Sequence, residues 1–387
     1  MKSLSYGQQS IDHHDLAAVT AVLRSDYLTQ GPQIVEFERQ LSAFTGAKYT
    51  VVFNSGTAAL HAAYFALSLT KGDEIITSPM TFAATTNAAI YLGAKPVFVD
   101  INPDTGNIDV SKIEAAINHR TKVLVPIHYG GQPADLMEIK KFAQRHHLSV
   151  VDDACHALGA QYKKHLIGDG TYADISIFSF HPVKHITTGE GGAIQTSHKK
   201  FYERALIFRT HGITKNHQQF KNMSDGDWYY EMQFLGFNYR MNDISAALGI
   251  SQLAKLPTFL KRRRQIAASY DKGWQDNPYF ELPPRLTNTI HAYHLYPIRL
   301  NPPLIPYKNQ LFKLLKESAI YPQVHYLPVY RHPYYRAHGF AKVNCPQAEL
   351  FYQRQLSVPM YPGMDDNDVR RVVRTLLKAC RQLVKKI

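Results

Sequence analysis

Cysteine is scarce: the 387 residues contain three, Cys155, Cys345 and Cys380. An odd number at no metal-like spacing argues against a disulfide scaffold or a zinc ribbon and points to a reduced compartment. Apolar runs of membrane length are missing as well, since none reaches the roughly 18 residues that a spanning helix needs. Low-complexity tracts are also lacking, and 45% hydrophobic against 19% charged residues describes a folded chain. Residues Met1 to Asp15 mix Ser, Gln, His and Asp without the basic start and apolar core of a secretory signal. The expectation is a cytoplasmic protein with no disulfide and no membrane partner.

Acidic residues are in deficit, 31 against 44 Lys and Arg, which leaves a formal charge of +13. Such an excess invites a nucleic-acid reading, so its distribution matters more than its total. Two clusters stand out, Lys261-Arg262-Arg263-Arg264 and the set Arg370, Arg371, Arg374, Lys378, Arg381, Lys385 and Lys386. Both are spaced around apolar residues as solvated helix faces are, so no nucleic-acid partner is expected. A phosphate-bearing small substrate would benefit from the same field.

A single core usually stops growing near 250 to 300 residues, so two unequal domains are expected, 1–256 with an N-terminal arm and 257–387. From Leu41 to Gly170 short apolar runs alternate with helical patterns, the grammar of an α/β protein. Candidate strands are Thr50–Phe53, Glu74–Thr77, Pro96–Val99, Val123–Ile127, Ser149–Val151, Ile175–Phe178 and Ala193–Thr196. Helical spacing predicts Thr57–Leu69, Phe82–Leu92, Val110–Ala116 and Leu136–His146. A helix capped by Asn242 or Asp243 should run to Leu256 and stop at Pro257, the expected hinge before a basic helix. Beyond Asn277 the composition shifts toward Pro, His and Tyr, and a smaller α+β domain is expected there.

Three segments carry candidate chemistry. Phe53-Asn54-Ser55-Gly56-Thr57 breaks an apolar strand and opens a helix at once, which offers unpaired N–H groups, a positive dipole end and two hydroxyls to a phosphate. Alone, this turn is equally explained as a helix cap. Val150-Val151-Asp152-Asp153 places two carboxylates at a strand end, where open α/β sheets collect ligands. Phe178-Ser179-Phe180-His181-Pro182-Val183-Lys184 sets a lysine beyond another strand end, among apolar neighbours that would lower its pKa and make it a nucleophile for an aldehyde. An exposed turn lysine is the competing reading of that segment.

Taken together and in this order, the three segments match the needs of pyridoxal phosphate: a phosphate cup at Ser55 to Thr57, an acid at Asp153 for the ring nitrogen, an amine at Lys184, and a flat surface at Phe82. Adjacent pairs such as His13-His14 and His146-His147 point apart on a helix, so no metal site is expected. A dinucleotide turn is disfavoured because Gly56 lacks the second and third glycines. The helical pattern begins by Asp15, which disfavours a fused DNA-binding module.

The chain resembles the sugar-aminotransferase family of fold-type I pyridoxal-phosphate enzymes over nearly its whole length. The carriers are Tyr27-Leu28-Thr29-Gln30-Gly31-Pro32, Asn54 to Leu60, Asp153-Ala154-Cys155-His156-Ala157-Leu158-Gly159, Ser179 to Lys184, and Gly236-Phe237-Asn238-Tyr239-Arg240-Met241-Asn242-Asp243. The resemblance implies a mostly parallel seven-stranded sheet with helices on both faces, plus a smaller C-terminal α+β domain. It implies that Lys184 carries the cofactor as a Schiff base, that Asp153 pairs with its ring nitrogen, and that His156 lies beside the ring. It further implies that Gly56, Thr57 and Ser179 hold the phosphate, that Phe82 stacks on the ring, and that Asn238 reaches the phosphate of a neighbouring subunit. A homodimer with shared active sites follows from that last implication.

More narrowly, the chain is similar to the branch that aminates C4 of a UDP-linked 4-keto-6-deoxy-N-acetylhexosamine with L-glutamate in pseudaminic-acid biosynthesis. The phrases Asn277-Pro278-Tyr279-Phe280, Tyr293 to Ile298 and Gln323-Val324-His325-Tyr326-Leu327-Pro328-Val329-Tyr330 bear that likeness. Tyr6, Gln30, His325 and Tyr326 are the expected substrate residues, although a packed aromatic pair at the domain junction would equally explain the last two. The dehydratases of the same fold carry histidine in place of the lysine; here Lys184 stands with His185 beside it.

Overall fold

A computed structural model describes residues 2–385 of the chain. Lys386, counted above in the basic stretch, lies outside the described residues. The central sheet is built from β1 (Tyr49–Phe53), β2 (Glu74–Thr77), β3 (Lys95–Phe98), β4 (Thr121–Val125), β5 (Ser149–Asp153), β6 (Ile175–Ser179) and β7 (Gly192–Thr196). Their spatial order is β1-β7-β6-β5-β4-β2-β3, parallel throughout except for β7, which runs antiparallel to both of its neighbours. The expected strands stand within a residue or two of these bounds. Near-continuous apolar runs let the sheet be covered on both faces, as parallel strands require.

Alternation of side chains divides the strand residues between the two layers. Val51, Phe53, Val151 and Ile177 pack with Ala58, Ala59, Ala62 and Ala63 of α1 (Gly56–Ala66). Val52, Phe178 and Ala193 pack on the other side with Leu253, Leu256 and Leu260 of α2 (Asp243–Gly273). Further along α2, Ile266, Ala267 and Tyr270, with Trp274 at its C-cap, enter a second core with Tyr296, Ile298, Leu300, Leu356 and Val358. Those last residues belong to a small antiparallel sheet made of Phe280–Glu281, Tyr296–Leu300 and Gln355–Val358. One helix therefore serves two cores.

This continuity corrects the expected break at Pro257, which lies inside α2. Proline removes one backbone donor and crowds the preceding turn. Buried Leu253, Leu256, Phe259 and Leu260 flank it and hold the helix in register by packing. The basic run on this helix is also not a uniformly solvated face. Arg263 is fully buried, and its Nη1 donates to the carbonyls of Tyr293, His294 and Met360 at 3.0, 3.3 and 2.7 Å. Arg370, Arg374, Lys378, Arg381 and Lys385 do face solvent on the terminal helix Asp366–Val384 and its C-cap.

At the start of α2 Asn242 is the cap, accepting from the amide of Ser245 at 2.7 Å. Asp243 instead takes the amides of Gly31 and Gln33 at 2.8 and 3.0 Å, which fixes the chain just before and inside the helix Pro32–Thr45. Phe82 lies ahead of its helix, Ala84–Ile90, rather than inside it. The rings of His13 and His14, expected to point apart, come to 3.9 Å.

Gly192 at the start of β7 pairs level with Phe53 on one side and Ser179 on the other. A Cβ at Gly192 would fall 2.6 Å from Gly56 Cα and 2.6 Å from Ser55 O, both backbone atoms that cannot swing aside. Only a residue without a side chain lets the 54–56 turn sit on β7. Gly192→Ala is therefore expected to destabilise the fold by about 1–3 kcal/mol through overpacking, read as a lower urea midpoint. An unchanged midpoint would show that the turn can move.

Candidate active site

A cavity of about 690 Å³ opens at the C-terminal ends of the parallel strands. Its walls come from the 55–57 turn, from the ends of β5 and β6, from the loop reaching Lys184, from Gln323 to Tyr326, and from Tyr6. Sheet register decides which strand-end residues face it. Asp153 pairs with Ile177, and Ser179 lies two residues further along the same strand, so the side chains of Asp153 and Ser179 share a face. Asp152 pairs with Ser176 and turns to the other face, where its Oδ2 lies 3.6 Å from His128 Nε2. One carboxylate serves the cavity and its neighbour serves the packing.

Asp153 is buried with two donors on it: Thr85 Oγ1 at 2.6 Å to Oδ2 and the Cys155 amide at 3.2 Å to Oδ1. Thr85 is held in turn by Thr81, hydroxyl to hydroxyl at 2.8 Å. A carboxylate so anchored presents a fixed negative charge to a partner. Half-buried Lys184 lines the same cavity from the far side of the His181 turn, where its amide donates to the His181 carbonyl at 2.8 Å. Burial pushes its ammonium below the usual range, and the nearby Cys155 and Asp153 oppose that only in part.

His156 is buried beside them, with Nε2 at 3.0 Å from Tyr326 Oη. Burial, and the neighbouring charge of Lys184, push its imidazole well below the usual range, so it stays neutral at physiological pH. Its Nδ1 is buried and finds no partner among the described residues. His325 also lines the cavity; its Nδ1 meets Ser357 Oγ at 3.0 Å, and burial pushes it down to about 3. Tyr6 packs on His325 with ring centroids 4.9 Å apart.

The turn at the other end matches the form of an anion cradle. Ser55 caps α1 by accepting from the Ala58 amide at 3.1 Å, which fixes the position of its hydroxyl. Gly56 approaches Ser179 so closely that a Cβ there would lie 3.1 Å from Ser179 Cβ. The first amides of α1, the Thr57 side chain and Ser179 are left around one space. Phe82 stands at its rim, 64% exposed, with its ring 6.4 Å from that of Tyr326.

Two expected residues stand apart from this cavity. Gln30 is exposed, at φ 56°, and is not among the cavity walls. Asn238 is exposed beside the turn, where its backbone carbonyl accepts from Asn54 Nδ2 at 3.3 Å. Other wall residues escaped the sequence reading: Thr85, Thr81, Glu190, His294 and Gln323. The spacing of Thr81 and Thr85, one helical turn apart just after a strand end, was the available signal for the first pair.

A model of the DegT/DnrJ/EryC1/StrS aminotransferase family matches residues 9–377. A Campylobacter jejuni protein named UDP-4-amino-4,6-dideoxy-N-acetyl-beta-L-altrosamine transaminase is 39% identical over 385 residues, covering 99% of each chain. The structure of Helicobacter pylori PseC, described as an aminotransferase involved in the biosynthesis of pseudoaminic acid, superposes with a TM-score of 0.93 at 36% identity, over 98% of this chain and 100% of that one. Spr1654 of Streptococcus pneumoniae, solved in its PLP form, gives a TM-score of 0.91 at 29% identity, over 99% of this chain and 100% of that one. With the family model and these relatives spanning nearly all of it, the chain belongs to the DegT/DnrJ/EryC1/StrS aminotransferase family.

Proposed function

We propose that this aminotransferase holds pyridoxal 5'-phosphate in the 690 Å³ cavity and moves an amino group from L-glutamate to C4 of a UDP-linked 4-keto-6-deoxy-N-acetylhexosamine. The observation that carries the reading is the convergence of Asp153, Lys184, His156 and the Gly56 turn, from four separate stretches of chain, on one space. The donor set fits the cofactor. An anchored carboxylate suits a protonated pyridine nitrogen, an amine of lowered basicity suits an aldehyde, and a helix N-terminus beside Ser179 suits a phosphate. The names of the C. jejuni and H. pylori relatives support the sugar, and the PLP form of Spr1654 supports the cofactor.

When bound, the cofactor supplies an electrophilic carbon for the amine and a ring that withdraws electrons from the carbon losing its proton. The chain supplies the rest. The Asp153 carboxylate, fixed by Thr85 and the Cys155 amide, keeps a proton on the ring nitrogen. The Lys184 amine would take a proton from one carbon and return it to another, and burial lowers its basicity for that role. His156, steadied by Tyr326, gives the ring a flat neutral surface. Phe82, at the rim of the same cavity, would stack on the ring. Tyr6, His325 and Tyr326 form the wall left for the sugar.

Asn238 and Gln30 lie outside this chain's own cavity walls, which supports a homodimer in which each site borrows residues from the second copy. Exposed Val35, Leu16, Trp228 and Leu235 give a second copy apolar surface to cover.

Lys184→Ala is expected to abolish both turnover and the visible absorption of the bound cofactor, and Asp153→Asn to lower kcat by about 10²-fold or more while the protein stays folded. Full kcat in Asp153→Asn would remove the acid from the mechanism. Because only the uncharged amine attacks an aldehyde and burial lowers the Lys184 pKa, capture of pyridoxal phosphate by the apoprotein should rise with pH through a midpoint below 10.5. Stopped-flow absorbance measures this, and a midpoint at or above 10.5 contradicts it. Co-expressed Lys184→Ala and Asn238→Ala chains, each impaired alone, should recover about a quarter of wild-type activity through mixed dimers with one intact site. No recovery in purified mixed dimers would place Asn238 outside the partner's site.

A further inference from the structure

His294 lines the cavity and is buried, yet no side-chain hydrogen bond is made by it, and its Nδ1 finds no partner among the described residues. Its specific neighbours are rings. The His156 ring centroid lies 4.4 Å away at an interplanar angle of 38°, and that of His185 lies 5.6 Å away at 51°. His185 is itself tied down, with Nε2 at 3.2 Å from the Ala292 carbonyl. Two imidazoles thus neighbour His294, and one of them is His156. Burial pushes all three imidazoles well below the usual range, with the charges of Lys184 and, for His185 and His294, Arg263 adding to it, so all three are uncharged.

The backbone bearing His294 is unusually well fixed for a segment between domains. Arg263, inside α2, donates to the carbonyls of Tyr293 and His294 at 3.0 and 3.3 Å. The amide of Leu295 donates to the Gly130 carbonyl at 3.0 Å. Gly131, at φ 100°, has no room for a Cβ, which would stand 3.0 Å from the Tyr293 amide nitrogen and 3.1 Å from that of His294. A side chain delivered this firmly, with no hydrogen bond of its own, acts through its shape.

We propose that His294 is a positioning residue whose ring face, pressed on His156, sets the tilt at which His156 meets the cofactor. The inference rests on the cofactor reading given above. Ring contact of this kind contributes through an oriented quadrupole and close packing, which a flat apolar ring reproduces and a branched or amide side chain does not.

The test compares His294→Phe, His294→Leu and His294→Asn, using apoprotein titrated with pyridoxal phosphate. Affinity and the wavelength of the absorption band are read, and the thermal midpoint of each apoprotein is measured alongside. His294→Phe is expected to keep affinity within about twofold of wild type with an unshifted band. His294→Leu and His294→Asn should lose about 3- to 10-fold in affinity and shift the band. Should His294→Leu fail to fold, the Phe and Asn variants still separate the cases. Wild-type behaviour in His294→Asn with loss in His294→Phe would assign the role to a ring nitrogen, and wild-type behaviour in His294→Leu would remove it; either overturns the proposal. Absence of any band in wild-type protein overturns the cofactor reading and this inference together, whereas a wild-type band with indifferent variants overturns this inference alone.

Discussion

The arrangement depends on the close approach of backbone to backbone at Gly192. Because that residue has no side chain, the 54–56 turn lies directly on the first residue of the central sheet's one antiparallel strand, level with Phe53 and Ser179. The first amides of α1 are thereby brought against Ser179, and the face that carries Ser179 also carries Asp153. A cradle for an anion and an anchored carboxylate are spaced by the strand repeat itself. Neither needs a flexible side chain to find the other.

Around this frame the protein controls where charge can reside. Asp153 is anchored by Thr85 and the Cys155 amide, while burial lowers the basicity of Lys184. The imidazoles of His156, His185, His294 and His325 are all pushed toward the neutral form. In so desolvated a pocket, a second cation beside Lys184 would keep its proton only at great cost and would compete for the carboxylate. Neutral imidazoles give polar and flat surfaces without adding charge. The lysine is therefore left as the titrating amine that faces the anchored acid.

The long helix Asp243–Gly273 joins this pocket to the second core around the small antiparallel sheet. Its first half closes one face of the central sheet, its second half is the spine of the small core, and buried Arg263 between them pins the strand entry at Tyr293 and His294. The walls contributed by Tyr6, His294 and His325 are thus referred to the same rod as the strand ends. Pro257 is carried inside that rod because packing on both sides outweighs one missing hydrogen bond.

All seven strands of the sheet were legible in the sequence, since short buried apolar runs bounded by turns leave few alternatives. So were the reactive segments: Ser55 to Thr57, Asp153 and Lys184 each sit at a strand end or helix start, where one-dimensional pattern and local chemistry coincide. What the sequence could not decide depends on contacts between distant segments. Asp152 and Asp153 look alike in one dimension, and only sheet register turns the second toward the cavity while the first meets His128. Thr85 gained its role by lying across from Asp153, and Arg263 lost its place on a solvated face because two cores close over it. The sequence by itself determined the elements and the chemistry at their ends, because propensity and periodicity are local. Only the tertiary structure decided which side chains share a space, because burial and register belong to pairs of segments and to neither one alone.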